Sequence, residues 1–342
     1  MGSHEELRNQ YQIRGLVLCL GSGISKRSGL PDWIELLNRL FHRAWPTAPH
    51  TPQHPLFDQL RQDGFTLTAI ASILEQKLGV DFVDNVREAL YRDFCLFVDP
   101  PEVPDRSLLV KQVQTENQSL RAVAALCVVK NQDSYVANPK IRAIVNLNFD
   151  VVFRTYAKER YGKHLLRTVE RPDAQPYQGS IPTYHAHGLL HWYHKRINKP
   201  KYESPDFLIF TEQQYFDFFG RPFEVFSYTL LSLMREYSMV FIGTALKDDN
   251  LRRLLYYNQK ERALAAERQP DANIKLAPHF LFTTRSGNKD VDELTATAHL
   301  RLGVNTIWLN NWSELPIHLQ STYESTYETT YETTGARWAD VF

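Results

Sequence analysis

Cysteine is scarce in this 342-residue chain: Cys19, Cys95 and Cys127 are the whole complement, far apart and each beside apolar neighbours such as Leu18, Leu20, Phe94, Leu96, Leu126 and Val128. No C-x-x-C pair exists, so neither a four-cysteine zinc site nor a disulfide framework can be assembled from the chain alone, and buried, reduced thiols are expected. Net charge is missing too. Lys+Arg and Asp+Glu both number 39, which removes any global basic field for nucleic acid and leaves only a local patch or an indirect contact. No stretch approaches the roughly 20 consecutive apolar residues of a membrane span, and the start, Met1 to Glu6, lacks the charged and apolar regions of a signal peptide. The expectation is a cytoplasmic protein with no membrane partner. Gly2-Ser3-His4 reads equally as a cloning remnant or as native sequence.

What is present is enough for a large core, since 43% of the residues are hydrophobic. Residues 15–20 form a short apolar run that ends in Gly21-Ser22-Gly23, the pattern of a buried parallel strand entering a glycine turn. Trp33, Leu36, Leu37, Leu40 and Phe41 follow at helical spacing, with Pro31 where a first turn tolerates it. Pro46, Pro49, Pro52 and Pro55 then interrupt regular structure. From about 56 to 130 the pattern is helical, with Leu67, Ile70, Ile73 and Leu74 on one face and Val86, Leu90, Phe94 and Phe97 on others. Strand signals return at Ile141 to Leu147, Ser238 to Ile242, His279 to Phe282 and Thr306 to Leu309, with helices expected from Val151 to Arg160 and around Leu251, Leu254 and Leu255. Repeated strand-to-helix units predict an α/β fold: a Rossmann-like parallel sheet with helices on both faces and a helical insertion at about 45–130. Ligands on such sheets bind at the carboxyl ends of strands. The division expected is 1–312 as one domain and 313–342 as a tail. The tail carries an imperfect repeat, Ser321-Thr322-Tyr323-Glu324, Ser325-Thr326-Tyr327-Glu328, Thr329-Thr330-Tyr331-Glu332. Four-residue spacing permits a drifting helical stripe, but the Thr-rich composition favours a segment that is flexible or ordered by a partner or oligomer.

Gly21-Ser22-Gly23-Ile24-Ser25 departs from G-x-G-x-x-G because position 26 is Lys, so the dehydrogenase fingerprint fails. Two glycines after a strand still allow backbone amides to approach a pyrophosphate. The longer stretch Gly21-Ser22-Gly23-Ile24-Ser25-Lys26-Arg27-Ser28-Gly29-Leu30-Pro31-Asp32-Trp33 resembles the sirtuin signature G-A-G-x-S-x-x-S-G-I-P-D-F. Further segments fall in the family's order. Asn148-Phe149-Asp150 resembles N-I-D, with Asn146-Leu147 in place of Thr-Gln; His187-Gly188 resembles the catalytic H-G; Gly243-Thr244-Ala245-Leu246 is similar to G-T-S-L. Trp308-Leu309-Asn310-Asn311 matches loosely a late strand whose Asn approaches adenine.

The resemblance implies that NAD is bound, as substrate and without a metal. Gly21, Ser22, Gly23 and Ser25 would line pyrophosphate and ribose, Ser28 to Trp33, with Asp32 and Trp33, would cover the nicotinamide ribose, and Gly243, Thr244, Leu246 and Asn310 would hold the adenosine side. Asn148 and His187 would be catalytic. Cleaving the nicotinamide glycosidic bond builds oxocarbenium-like charge on the ribose; a neutral amide can orient water or a hydroxyl, and an imidazole can accept a proton near neutral pH. Asp150 could recognise the carboxamide or order its loop. Plainer roles stand beside these. Asn148, Asp150 and Ser25 could cap helices, Lys26 and Arg27 could be solvated, with Arg27 also able to meet a phosphate, and His185, His187, His191 and His194 could approach a metal.

Paired C-x-x-C motifs, usual in protein-deacylating sirtuins, are missing. The Asn-aromatic-Asp and H-G motifs, a T-x-x-x-Y-like element at Thr211 to Tyr215 and Gly243-Thr244-Ala245-Leu246-Lys247-Asp248-Asp249-Asn250-Leu251 resemble bacterial sirtuin-like domains of antiphage defence. That implies an NAD glycohydrolase releasing ADP-ribose and nicotinamide, triggered by self-assembly into a homo-oligomer or by a partner such as a translocase-type ATPase or an Argonaute-like protein. The alternatives are a non-catalytic NAD- or ADP-ribose-sensing module and a protein deacylase. Asn148→Ala is expected to abolish turnover with the fold intact, on the premise that Asn148 is an exposed pocket amide that adds little to packing.

Overall fold

The computed structural model describes residues 2–46, 52–94, 106–131, 134–169, 179–192, 207–219, 225–269 and 278–327. Helix α1 (Ser3–Ile13) leads into β1 (Leu16–Leu20), whose five side chains are all buried, as an apolar run covered on both faces requires. The short α2 (Gly23–Lys26) and α3 (Trp33–Ala44) follow, α3 starting at an Asp32 cap whose side chain accepts the Glu35 N–H. Helices α4 (Pro55–Gln62), α5 (Leu67–Leu78), α6 (Phe82–Tyr91), α7 (Arg106–Glu116) and α8 (Gln118–Leu126) occupy the stretch read as helical. The antiparallel pair β2 (Val128–Asn131) and β3 (Ser134–Ala137) precedes β4 (Ile141–Asn146), α9 (Val152–Tyr161), β5 (Leu166–Val169) and β6 (Ile181–His185). A second small pair, β7 (Gly188–Leu189) and β8 (Phe207–Leu208), is followed by α10 (Glu212–Phe219), α11 (Val225–Glu236), β9 (Ser238–Ile242), α12 (Asp249–Arg268), β10 (His279–Thr284), α13 (Lys289–Leu300), β11 (Val304–Leu309) and α14 (Leu315–Tyr327).

Seven strands form one parallel sheet in the order β11-β10-β9-β1-β4-β6-β5, the Rossmann-like α/β arrangement expected. Alternation along β1 separates the two faces. Leu16, Leu18 and Leu20 enter an apolar cluster shared with α3, α5, α6, α8 and α9, whereas Val17 and Cys19 enter one shared with Leu230 and Met234 of α11 and Leu251, Leu254 and Leu255 of α12. The helices between 55 and 126 therefore bury their apolar sides in the same cluster as one face of the sheet. Cys19 and Cys127 are free and buried, and burial pushes both thiols well above their ordinary pKa; Cys95 lies outside the described residues. No helix among the described residues is long and apolar enough to cross a membrane.

One expectation fails at the tail. Leu315–Tyr327 is helical, with Leu315, Leu319 and Tyr323 buried one turn apart, and α14 packs on α8 and α1. The weak intrinsic helix preference of Ser and Thr is overridden by burial of that stripe. Residues 328–342, with the rest of the repeat, lie outside the described residues.

Candidate active site

The sheet's register assembles the site before any side chain is considered. Leu20 of β1 is level with Asn146 of β4 and Ile242 of β9, and Asn146 is level with His185 of β6. Parallel strands in this register release the chain at one edge, so Gly21, Leu147, Ala186 and Gly243 begin four neighbouring loops. Backbone bonds extend the ladder one residue further: Gly21 N–H to Ile242 O at 2.9 Å, Leu147 N–H to Leu20 O at 2.8 Å and Ala186 N–H to Asn146 O at 2.9 Å.

Three glycines let two of these loops touch backbone to backbone. A Cβ on Gly21 would stand 2.5 Å from the Gly243 carbonyl oxygen, and one on Gly23 2.9 Å from the Gly243 Cα. Gly243 itself has φ +71°, and a Cβ there would meet Ile24 N at 2.6 Å. The pair is closed by Gly23 N–H donating to Gly243 O at 2.9 Å. The Gly21 and Gly23 amides are thus committed to carbonyls of the β9 edge, and the glycines serve loop packing rather than presenting free N–H groups. We expect Gly243→Ala to lower stability by about 3 kcal/mol, since left-handed backbone strain adds to a clash with main chain that cannot swing aside; the urea midpoint measures it. Leu246, at φ +50° and fully buried, is a second strained position of the same loop. Its N–H faces Thr244 Oγ1 at 3.4 Å and its carbonyl accepts from Arg252 at 3.2 Å.

Asn148 is 5% exposed and not the open pocket amide anticipated. Its N–H donates to Asn146 Oδ1 at 3.1 Å and its Nδ2 to the Gly21 carbonyl at 3.1 Å, which joins the second loop to the first. Asp150, two residues on, is buried and accepts the Val152 N–H at 2.9 Å, so it helps to start α9. Burial pushes its carboxyl up to about 6, against the stabilising Val152 N–H and the neighbouring Ser25 hydroxyl. A carboxyl with a raised folded pKa binds its proton more tightly in the folded chain, so its contribution is present below pH ~4 and is lost as pH rises through 6. Asp150→Asn should therefore raise stability at pH 7 by about 2 kcal/mol and flatten the slope between pH 4 and 6 in denaturant titrations.

His187 opens toward α10 and α12. Its Nδ1 lies 3.1 Å from the Leu147 carbonyl and its Nε2 3.2 Å from Asp248 Oδ2. The Tyr215 hydroxyl donates to the same carboxylate oxygen, while Asp248 Oδ1 caps α12 by accepting the Leu251 N–H at 2.8 Å. Burial opposes the charge on Asp248, but the His187 hydrogen bond and charge, with the Leu251 and Asn250 N–H groups, hold its carboxyl below the usual range. The ring thus bridges the loop after β4 to the carboxylate that caps α12. Burial and Arg154 push His185 down to about 3, leaving it neutral. Among the described residues no group of three or more His, Cys, Asp or Glu is placed to hold a metal, and His194 lies outside them.

The remaining sequence candidates divide. Ser25 lies buried beside Asp150, and Ser22 is exposed at the start of α2. Asp32 caps α3 and pairs with Lys26 Nζ at 2.7 Å, so Lys26 has a carboxylate partner in place of water alone. Trp33 stands edge-on to Phe210, whose ring also meets Phe149 of the Asn148 loop. Asn310 is at the end of β11, three strands from β1, a separation of about 14 Å at the usual strand spacing; its side chain and N–H are both engaged by Glu314. The structure does not bring it to Asn148.

Asp248, Tyr215, Asn117 and Tyr91 belong to the site's frame without having been assigned a role from sequence. Asp248 had a signal, an Asp-Asp-Asn run before an apolar helix. Asn117 holds Ile24 O at 2.8 Å and Ser28 Oγ at 2.9 Å across some 90 residues of chain, a contact no local pattern announces.

Residues 142–303 match the model of the family described as SIR2-like domain. Domains of this family bind NAD, and NAD-related activity is characteristic of them. The matched span runs from β4 to the residue before β11 and contains Asn148, His187, Gly243 and Asp248. β1 and its glycine loop lie outside it and are joined to it by the pairing of β1 with β4 and β9. No curated protein matches the chain.

Proposed function

We propose that this chain binds NAD along the carboxyl edge of the sheet and hydrolyses its nicotinamide glycosidic bond, giving ADP-ribose and nicotinamide. The observation that carries the reading is the convergence of Asn148, His187 and the glycine loop on one edge, set by strand register and tied by the Asn148-to-Gly21 hydrogen bond. The donor set fits a ribose: a neutral amide, a His–carboxylate pair and a buried carboxyl of raised pKa can meet hydroxyls and a carboxamide without a permanent cation. In this reading Asn148 orients the attacking water or a ribose hydroxyl. The His187–Asp248 pair takes its proton, the carboxylate stabilising the imidazolium that results. Because the Gly21 and Gly23 amides are engaged, the pyrophosphate falls to Ser22 and the exposed side of the loop. Residues 1–312 act as one NAD-binding unit, and Asn310 serves the adenosine end only if its Glu314 contacts open.

The finer reading, NAD depletion in antiphage defence triggered by self-assembly or by a partner, rests on the motif resemblance alone. Nicotinamide release from NAD by the purified protein, alone and with candidate triggers, tests the activity. Release of nicotinamide only when an acylated lysine peptide is supplied would replace hydrolysis with deacylation. NAD binding without release under every condition would favour a sensing module.

A further inference from the structure

We infer that Tyr91 of α6 is a positioning residue that fixes the two catalytic loops against each other; the inference rests on the hydrolase reading for its kinetic test. The loop after β4 carries Asn148 and the loop after β6 carries His187. They meet through the backbone bond from Leu190 N–H to Phe149 O at 2.7 Å and the contact of His187 Nδ1 with the Leu147 carbonyl at 3.1 Å. The Tyr91 hydroxyl adds a further link. It donates to the Leu190 carbonyl at 2.6 Å and accepts the Val151 N–H at 3.1 Å, so one oxygen atom bridges both loops.

That bridge is rigid. Tyr91 is fully buried, and its ring meets Phe94 at 6.0 Å and Trp192 edge-on at 6.4 Å. One turn earlier on α6, the buried Arg87 donates from Nε to the His191 carbonyl at 2.9 Å and forms an ion pair with Asp84. Thus α6 grips the His187 loop at two successive carbonyls and the Asn148 loop at one amide. The hydroxyl touches no atom that would react. Its effect passes through the relative placement of Asn148 and His187, where a displacement on the order of 1 Å can cost about 100-fold in rate.

The test compares Tyr91→Phe, which removes the bridging oxygen and keeps the ring, with Phe94→Leu, which loosens the aromatic contacts to Tyr91 and Trp192 and leaves the bridging oxygen in place. Under the condition that activates the wild type, Tyr91→Phe should lower kcat for nicotinamide release by about 10- to 100-fold while KM for NAD stays within about twofold. Phe94→Leu should lower the urea midpoint with kcat per folded molecule retained. An unchanged kcat in Tyr91→Phe, or equal kcat losses in both variants, would overturn the inference. Should the wild type release no nicotinamide, the hydrolase reading falls and hydrogen exchange decides the positioning: faster exchange across 147–151 and 187–191 in Tyr91→Phe but not in Phe94→Leu supports it, and equal rates overturn it.

Discussion

Asn148→Ala should reduce nicotinamide release by about 100- to 1,000-fold, the effect of removing an oriented polar group aimed at a developing charge. The variant should stay folded, although not for the reason the sequence offered. Asn148 is buried, so alanine removes the Nδ2 contact to Gly21 O and leaves a small void, a cost of about 1–2 kcal/mol. The Gly21 carbonyl keeps a donor, because Ile24 N–H reaches it at 3.0 Å, and the loop retains its Val152 cap through Asp150. A thermal scan beside the nicotinamide assay separates the two effects. Activity within about threefold of wild type would remove Asn148 from the chemistry, since known losses of such groups are far larger.

How much of this was legible depended on whether the signal was local. β1, β4, β9 and β10 announced themselves as apolar runs because interior parallel strands are buried on both faces, and the edge strand β11 through its buried Val304, Ile307 and Leu309. β5 and β6 did not. β5 is an edge strand with one buried residue, and β6 contains Pro182, which reads as a breaker. The proline is tolerated because the ladder from β6 to β4 begins only at Thr183, so the missing N–H falls before that pairing starts. Helix α14 was hidden by composition, its apolar stripe at Leu315, Leu319 and Tyr323 being diluted by Ser and Thr. In the site, residues inside contiguous motifs were readable: Gly21, Asn148, His187 and Gly243. Their roles were less so. The glycines look like phosphate-facing amides until the packing of Gly21 and Gly23 on Gly243 shows where their N–H groups go. Tyr91 and Asn117 act on loops 60 to 99 residues away in sequence, and nothing in their own neighbourhoods marks them.

Asp248→Asn should cost nearly as much activity as His187→Ala, about 100- to 10,000-fold, because both dismantle the same proton-accepting pair. The comparison is informative because the two changes differ in what they spare. Asparagine keeps an oxygen for the Leu251 N–H, so the cap of α12 survives, and it can still meet the Tyr215 hydroxyl. What disappears is the charge. In the wild type the Leu147 carbonyl meets Nδ1 and the carboxylate faces Nε2. With an amide in place of the carboxylate, an imidazolium formed at His187 during the reaction has no counter-charge, so kcat for nicotinamide release falls. Stability supplies an independent check. Asp248 has a folded pKa below its unfolded value, so its contribution is present above the ordinary carboxylate range and is lost as pH falls through it. Asp248→Asn should remove that acid-side loss from the denaturation profile. The nicotinamide-release rate and the pH dependence of stability would thus report on the same carboxylate. A double variant no slower than the worse single one would establish that His187 and Asp248 act as a unit.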